Sequence, residues 1–317
     1  MSVINRRSVL ASAPLALAAP FVLRRARAAT TVRIGVLKLI HSITPYYYQR
    51  FAPAGMTIEV IPFESPTDGK NAVVTRSVDA GTFGIAAAIL SAAAHEPIVV
   101  FGSECNKGMA VVAGKDSDIN SIKDLRGKRV AIWPGSTQEV FILERLHMEG
   151  MSIHDITPVR VSFSEMNAAL ARGDVDAYVG AEPGPGVSIS TGVGKIVEYP
   201  YSTPMGSLNQ VFATHRDMTT EKPDLLHAIL AMQRDASTYL MAHPDEMVAL
   251  TVEKLGQKRE AVQVSVSNVE LNWRMSPQMV AAVKSYGAHM LELKQIRAEP
   301  DYATLLDTRF SDQLAAS

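Results

Sequence analysis

The sequence predicts an α/β protein of two lobes, and three observations carry the prediction. Segments with strand and helix patterning alternate along most of the chain, which is how parallel sheets flanked by helices are built. Of the 317 residues, about 290 remain once an N-terminal leader is set aside, more than one typical core organises. A Val-Asp-Ala pattern also recurs. Arg76-Ser77-Val78-Asp79-Ala80-Gly81 and Arg172-Gly173-Asp174-Val175-Asp176-Ala177 both place it at a helix-to-strand junction, as two lobes grown from one βαβ unit would.

The leader comes first. Arg6 and Arg7 precede an uncharged, mostly apolar stretch from Leu10 to Leu23, then the basic Arg24-Arg25-Ala26-Arg27 and the small-x-small pattern Ala26-Arg27-Ala28. An apolar run of about 14 residues is too short to cross a bilayer of roughly 30 Å as a helix. Residues 1–28 are therefore expected to be a signal cleaved near Ala28. The paired arginines point to the twin-arginine export machinery and a periplasmic destination. The leader offers no cysteine for lipid attachment.

The strands follow. Val32, Ile34 and Val36 alternate in a first strand. Ile58-Glu59-Val60-Ile61-Pro62 is a second, ended by proline. Ile98–Phe101 and Met109–Val112 are compact apolar runs of the kind a buried parallel strand shows, and Arg129–Trp133 is another. Helices carry their own punctuation. Ile142, Leu143 and Leu146 form a stripe that stops at Gly150. Ser162 and Glu165 have capping-box spacing ahead of Met166, Ala169 and Leu170. Pro223 and Ser276-Pro277 each open a further helix, and the last third of the chain reads as mostly helical.

Composition excludes several classes of function. Without the leader, 26 of the 31 basic side chains face all 32 acidic ones, a net of −6. Nucleic-acid binding needs a concentrated basic surface, which this balance does not supply. Cys105 is the only cysteine, so neither an internal disulfide nor a multi-cysteine zinc site is available. The chain contains no Gly-x-Gly-x-x-Gly, no Walker-type loop, no His-Glu-x-x-His and no Gly-x-Ser-x-Gly. The eight histidines show no metal-ligand spacing. Neither catalysis nor a metal nor a cofactor is expected.

In open α/β sheets ligands bind beyond the carboxyl ends of the strands, which selects the loops to weigh. His41 and Ser42 follow the first strand and lead to Tyr46-Tyr47-Tyr48. Helical geometry spreads three consecutive side chains, so only one or two tyrosines are expected to face a cleft, with Tyr46 the candidate. Ala87 opens a helix of small residues after the strand ending at Ile85. Glu104 and Asn106 follow Ile98–Phe101. Ser136 and Thr137, after Pro134-Gly135, sit at a helix N-terminus whose unpaired N–H groups favour polar or anionic guests. Their minimal role is an N-cap worth about 1 kcal/mol. Glu182 can accept from a ligand, and equally suits a helix cap or a hinge. The strand-end loops read as lacking lysine and arginine apart from Lys107.

The segments Ile122-Lys123-Asp124-Leu125-Arg126-Gly127-Lys128-Arg129-Val130-Ala131, Gly135-Ser136-Thr137, Ala168 through Ala177, and Glu182-Pro183 give the chain a resemblance to the nitrate/sulfonate/taurine/thiamine-precursor class of ABC importer binding proteins. It spans roughly residues 31–255. The resemblance implies the two-lobe periplasmic binding protein fold (type II-like) with the ligand cleft between lobes. Lobe I would hold residues 29–113 plus 207–317 and lobe II residues 114–206. It further implies capture of a small molecule by cleft closure, delivery to an ABC permease and its ATPase, and a monomer. With no evident cationic clamp, a neutral or amine-bearing heterocycle or amide is the expected ligand, and a small anion such as a sulfonate or nitrate the next. The alternatives are an enzyme on the same fold and a ligand-presenting partner of a receptor kinase. The pyrimidine-precursor enzymes of that architecture carry a cysteine-rich motif, which a chain with Cys105 alone lacks.

Overall fold

A computed structural model describes residues 30–316; the leader expected over residues 1–28 lies outside them. The chain runs β1 (Thr30–Leu37), β2 (Met56–Phe63), α1 (Pro66–Val74), β3 (Ala80–Gly84), α2 (Ile85–Ala93) and β4 (Ile98–Lys107). Next come β5 (Met109–Gly114), β6 (Arg129–Ile132), α3 (Thr137–Met148), β7 (Thr157–Arg160), α4 (Met166–Arg172), β8 (Ala177–Ala181), α5 (Gly184–Ser190) and β9 (Gly194–Glu198). After β10 (Leu208–His215) the chain is mostly helical, as its patterning predicts. This last part comprises α6 (Met218–Glu221), α7 (Pro223–Ala242), α8 (Pro244–Leu255), α9 (Arg259–Val266), β11 (Val269–Leu271), α10 (Pro277–Glu292), α11 (Tyr302–Leu305) and α12 (Arg309–Ala316).

Two sheets result, ordered β11-β4-β10-β3-β1-β2 and β7-β6-β8-β5-β9. Each has a parallel βαβ half, β2-β1-β3 and β7-β6-β8. The recurring Val-Asp-Ala pattern does the same work in both. The Asp79 carboxylate accepts from the Arg33 N–H at 2.9 Å, and Asp176 accepts from the Arg129 N–H at 2.8 Å. Each aspartate thus ties the strand that follows it, β3 or β8, to the middle strand of the parallel half of its own sheet, β1 or β6. Pro62 is tolerated because β2 lies at a sheet edge.

Burial of the apolar runs is as their composition predicts, but two differ in direction. β4 pairs antiparallel with β10 and β11, and β5 antiparallel with β8 and β9. A continuous apolar run reports burial on both faces and is silent about the neighbour's direction. β5 bears on the expected boundary at residue 113: residues 109–113, assigned to lobe I on the sequence, are hydrogen-bonded into the second sheet. The chain passes between sheets at Lys107–Met109 and returns between Glu198 and Leu208. At the expected capping box the helix begins later, at Met166, and Ser162 donates to the Glu165 carboxylate at 2.6 Å.

The cores of the two sheets join. One buried apolar cluster includes Ile85 and Ile89 of α2, Val140 and Phe141 of α3, and Val283 and Tyr286 of α10. Phe141 and Tyr286 meet edge-on at 5.5 Å between ring centroids. Among the described residues no helix is long and apolar enough to cross a membrane.

Candidate functional site: a cleft between two sheets

A cavity of about 470 Å³ lies between the two sheets. Lys38 and Leu39 enter it from the end of β1, Glu64 from the end of β2, and Lys254, Leu255 and Gln257 from the end of α8. The facing wall comes from the second lobe: Phe163, Ser164 and Asn167 around the start of α4, and Pro183, Gly184 and Val187 around α5. Lys38 and Glu64 are ion-paired because parallel register sets Leu37 opposite Phe63. Lys254 pairs with Glu253, and its Nζ lies 5.9 Å from the Tyr46 ring centroid. Asn167 accepts from Ser188 Oγ at 2.7 Å.

Lys38 and Lys254 correct the sequence reading of a cleft without cations. Lys38 was legible, since it directly follows Leu37, the last residue of β1, where the strand-end rule points. Lys254 gave no signal, because only the packing of α8 brings a helix end to this wall.

Next to the cavity the lobes meet in a buried polar seam, and most of the predicted residues lie there. Ser42 Oγ donates to Gln210 Oε1 at 2.6 Å and accepts from Thr82 Oγ1 at 2.8 Å. Thr137 Oγ1 donates to the Asn209 carbonyl at 3.2 Å, across the lobe boundary. Ser136 caps α3 by accepting from the Glu139 N–H at 3.1 Å. Both are fully buried, and Ala87, 5% exposed, packs in the apolar cluster beside them. None of these residues lines the cavity described above.

His41 is fully buried against the first crossing. Its Nε2 lies 2.7 Å from Asn209 Nδ2, which also donates to the Lys107 carbonyl at 2.6 Å. With the amide as donor, the neutral ring accepts at Nε2 and keeps its proton on Nδ1. That Nδ1 has no partner. Burial lowers the pKa of His41 from 6.5 to about 4, against a smaller opposing pull from the Gly108 and Lys107 backbone. The ring occupies the space above Gly108, where an added Cβ would stand 2.1 Å from Nε2.

Glu182 holds the start of α5 against α9 and the turn that follows it. It is 2% exposed and accepts from Gly186 N at 3.0 Å, Ser265 Oγ at 2.8 Å and Asn268 Nδ2 at 3.1 Å. Burial raises its pKa and these three donors oppose the rise. Around it the crossing is stitched together. Glu182 N donates to the Gly108 carbonyl at 2.9 Å and Gly108 N to the Asn268 carbonyl at 2.6 Å. The Tyr201 hydroxyl accepts from Met109 N at 3.0 Å.

The remaining candidates lie apart. Glu104 sits at an irregularity in the β4–β10 register, fully buried, with Thr44 Oγ1 donating to Oε1 at 2.6 Å and Oε2 unpartnered. Burial raises its carboxyl well above the usual range. Asn106 donates to Glu270 Oε1 at 3.2 Å. Tyr46 stands behind Lys254, Tyr47 stacks on Tyr239 at 5.5 Å, and Tyr48 is buried with its hydroxyl on Gln233.

Two α/β lobes, each with a parallel half, joined by paired crossings beside a polar cleft, define the class: the periplasmic binding protein architecture. The chain belongs to the NMT1/THI5 like family, whose model matches residues 44–247. It is similar to the putative aliphatic sulfonates-binding protein of Escherichia coli K12, at 24% identity over 57% of this chain and 56% of that protein. It is also similar to the taurine-binding periplasmic protein of the same organism, at 28% identity over 61% and 60%. The matches thus span little more than half of these relatives' own lengths. Among solved structures, the alkanesulfonate-binding protein from Xanthomonas axonopodis pv. citri bound to MOPS superposes with a TM-score of 0.78 at 20% identity, covering 89% of this chain and 99% of that one.

Proposed function

We propose that this chain is a periplasmic solute-binding protein that captures a small organic anion, a sulfonate first of all, and delivers it to an ABC permease and its ATPase. The observation that carries the reading is the meeting of Lys38 and Lys254, from separate elements, in one cavity between the lobes. An anion held there makes charge-assisted contacts with one lobe and polar contacts with the other, and so favours the closed arrangement. The curated relatives named above are binding proteins for sulfonates or taurine, which supports an anion over the neutral heterocycle first expected. Glu64, beside Lys38, offers an amine on the same solute a partner of its own. The Nδ1 proton of His41 is a further donor, should a guest reach the seam. Export of the chain by the twin-arginine machinery belongs to the same proposal.

Titration calorimetry with taurine, a longer alkanesulfonate and a neutral amide tests it. Sulfonates are expected to bind and the amide not to. Lys38→Ala should weaken sulfonate binding about tenfold, a loss of about 1.4 kcal/mol, with Lys254→Ala acting in the same direction. A preference for the amide, or an unchanged Kd in both variants, refutes the anion reading.

A further inference from the structure

Beside the cavity the two lobes touch backbone to backbone, at Gly186 of α5 and at Ala261 and Ser265 of α9. The two helices are anchored in different lobes. Val262 of α9 is buried with Val248 of α8, Leu271 of β11 and Cys105 of β4, and both strands belong to the first sheet. α5 is tied into the second lobe, where Ser188 Oγ donates to Asn167 Oδ1 at 2.7 Å and meets the Tyr178 hydroxyl at 2.8 Å. An added Cβ on Gly186 would stand 2.1 Å from Ser265 Oγ and 2.5 Å from the Ala261 carbonyl oxygen, where carbon and oxygen ordinarily keep about 3.3 Å. The hydroxyl is not free to swing aside, since it is buried and donates to Glu182 Oε2 at 2.8 Å and to the Ala261 carbonyl at 2.9 Å. The carbonyl is backbone and cannot swing at all. Gly186 lies inside α5 and not at a left-handed φ, so glycine is required there by space alone.

We infer that this contact is the stop that sets how near the second lobe comes to the first, and with it how bulky a solute the cavity holds, which makes Gly186 a positioning residue for selectivity. The cavity adjoins the contact through both helices. Pro183, Gly184 and Val187 flank Gly186, and Leu255 and Gln257 lead into α9. Asn167, held to α5 by Ser188, lies on the same wall. Whatever holds α5 off α9 therefore carries the second lobe's wall away from Lys38, Glu64 and Lys254. A close-packed interior passes such a displacement on.

One methyl group suffices, because the clearance missing at the Ala261 carbonyl is about 0.8 Å, the difference between 2.5 Å and an ordinary contact. The apolar contact of α3 with α10 adds no residue to the cavity wall. It need not part, since overpacking on this scale shifts packed elements and leaves them joined.

The inference rests on the cavity being the solute site, and the experiment separates the two. Calorimetry on the purified protein compares ethanesulfonate with benzenesulfonate, and acetamide with benzamide, each pair sharing a head group and differing in body. In Gly186→Ala the Kd for ethanesulfonate divided by that for benzenesulfonate should rise about tenfold over the parent's ratio, the least that one methylene decides in a fitted pocket. Ser265→Ala, which removes the hydroxyl and adds no bulk, should leave the ratio as it is in the parent. The Gly186→Ala/Ser265→Ala double variant frees the new Cβ of the hydroxyl but not of the carbonyl. It should shift the ratio the same way by less, and it serves where the single variant does not fold. An unchanged ratio in Gly186→Ala, or in the double variant where only that one folds, overturns the stop, and so does an equal shift in Ser265→Ala alone. A parent that binds the amides and neither sulfonate removes the anion reading, and the amide ratio then decides the stop in the same way. A parent that binds none of the four removes the cavity as the solute site and the stop's role with it.

Discussion

Glu182 shows how much one carboxylate holds. Its oxygens serve donors from the start of α5, from α9 and from the turn after α9, so they join both lobes at the first crossing. Glu182→Ala removes the acceptor shared by three buried donors, leaving Ser265 Oγ the Ala261 carbonyl at 2.9 Å and Asn268 Nδ2 the Met109 carbonyl at 3.4 Å, and each lost bond to the carboxyl costs about 1–3 kcal/mol. We expect a loss of roughly 3 kcal/mol in urea unfolding, with weaker ligand binding only as a consequence; an unchanged midpoint rules out the tether. His41 gives the fold a pH signature of its own. Its folded pKa, about 4, is below the ordinary 6.5, so its neutral form favours the fold above the ordinary value. That stability is lost as pH falls through the interval between the two, an effect on the order of 3 kcal/mol. Denaturant midpoints measured from about pH 7 to about pH 4 should fall less in His41→Gln than in the parent protein. Equal slopes would mean that His41 titrates normally.

The elements were legible to different degrees, and for physical reasons. The Val-Asp-Ala echo, the proline-led helices and the burial of the strands were all readable, because each depends on a few neighbouring residues. Strand direction was not, since an apolar run specifies burial and not its partner, and residues 109–113 were accordingly grouped with β4 rather than with the sheet they join. Within the site, residue types drew attention to His41, Ser136 and Glu182, and the structure places all three in the seam or at the crossing. Of the cavity's lysines, Lys38 stands at the end of β1, where the strand-end rule applies, whereas Lys254 reaches the cleft only through the tertiary packing of α8. The crossing itself yields a prediction. Gly108 has φ +74° and no room for a Cβ beneath His41. Gly108→Ala combines a left-handed backbone with an overlap, so at least about 2 kcal/mol of destabilisation is expected. A melting temperature equal to that of the parent would refute the packing described.

At the scale of the molecule, the capture by closure proposed above is measurable without knowing any contact. Sulfonate at about 100 times its Kd should add about 2.7 kcal/mol of stability and reduce the radius of gyration in X-ray scattering. A stabilised protein of unchanged dimensions would place the solute on one lobe alone. The sheet order also bears on how the chain is assembled as it is synthesised. Residues 109–198 supply every strand of the second sheet as one uninterrupted stretch. The first sheet, begun earlier, keeps a gap between β3 and β4 until β10 arrives to fill it. The half translated later can therefore finish first, while the earlier half waits with two open strand edges, the kind of surface on which stray chains pair. A nascent chain halted near residue 200 would hold one finished lobe and one unzipped sheet, and only the last third of the message closes it.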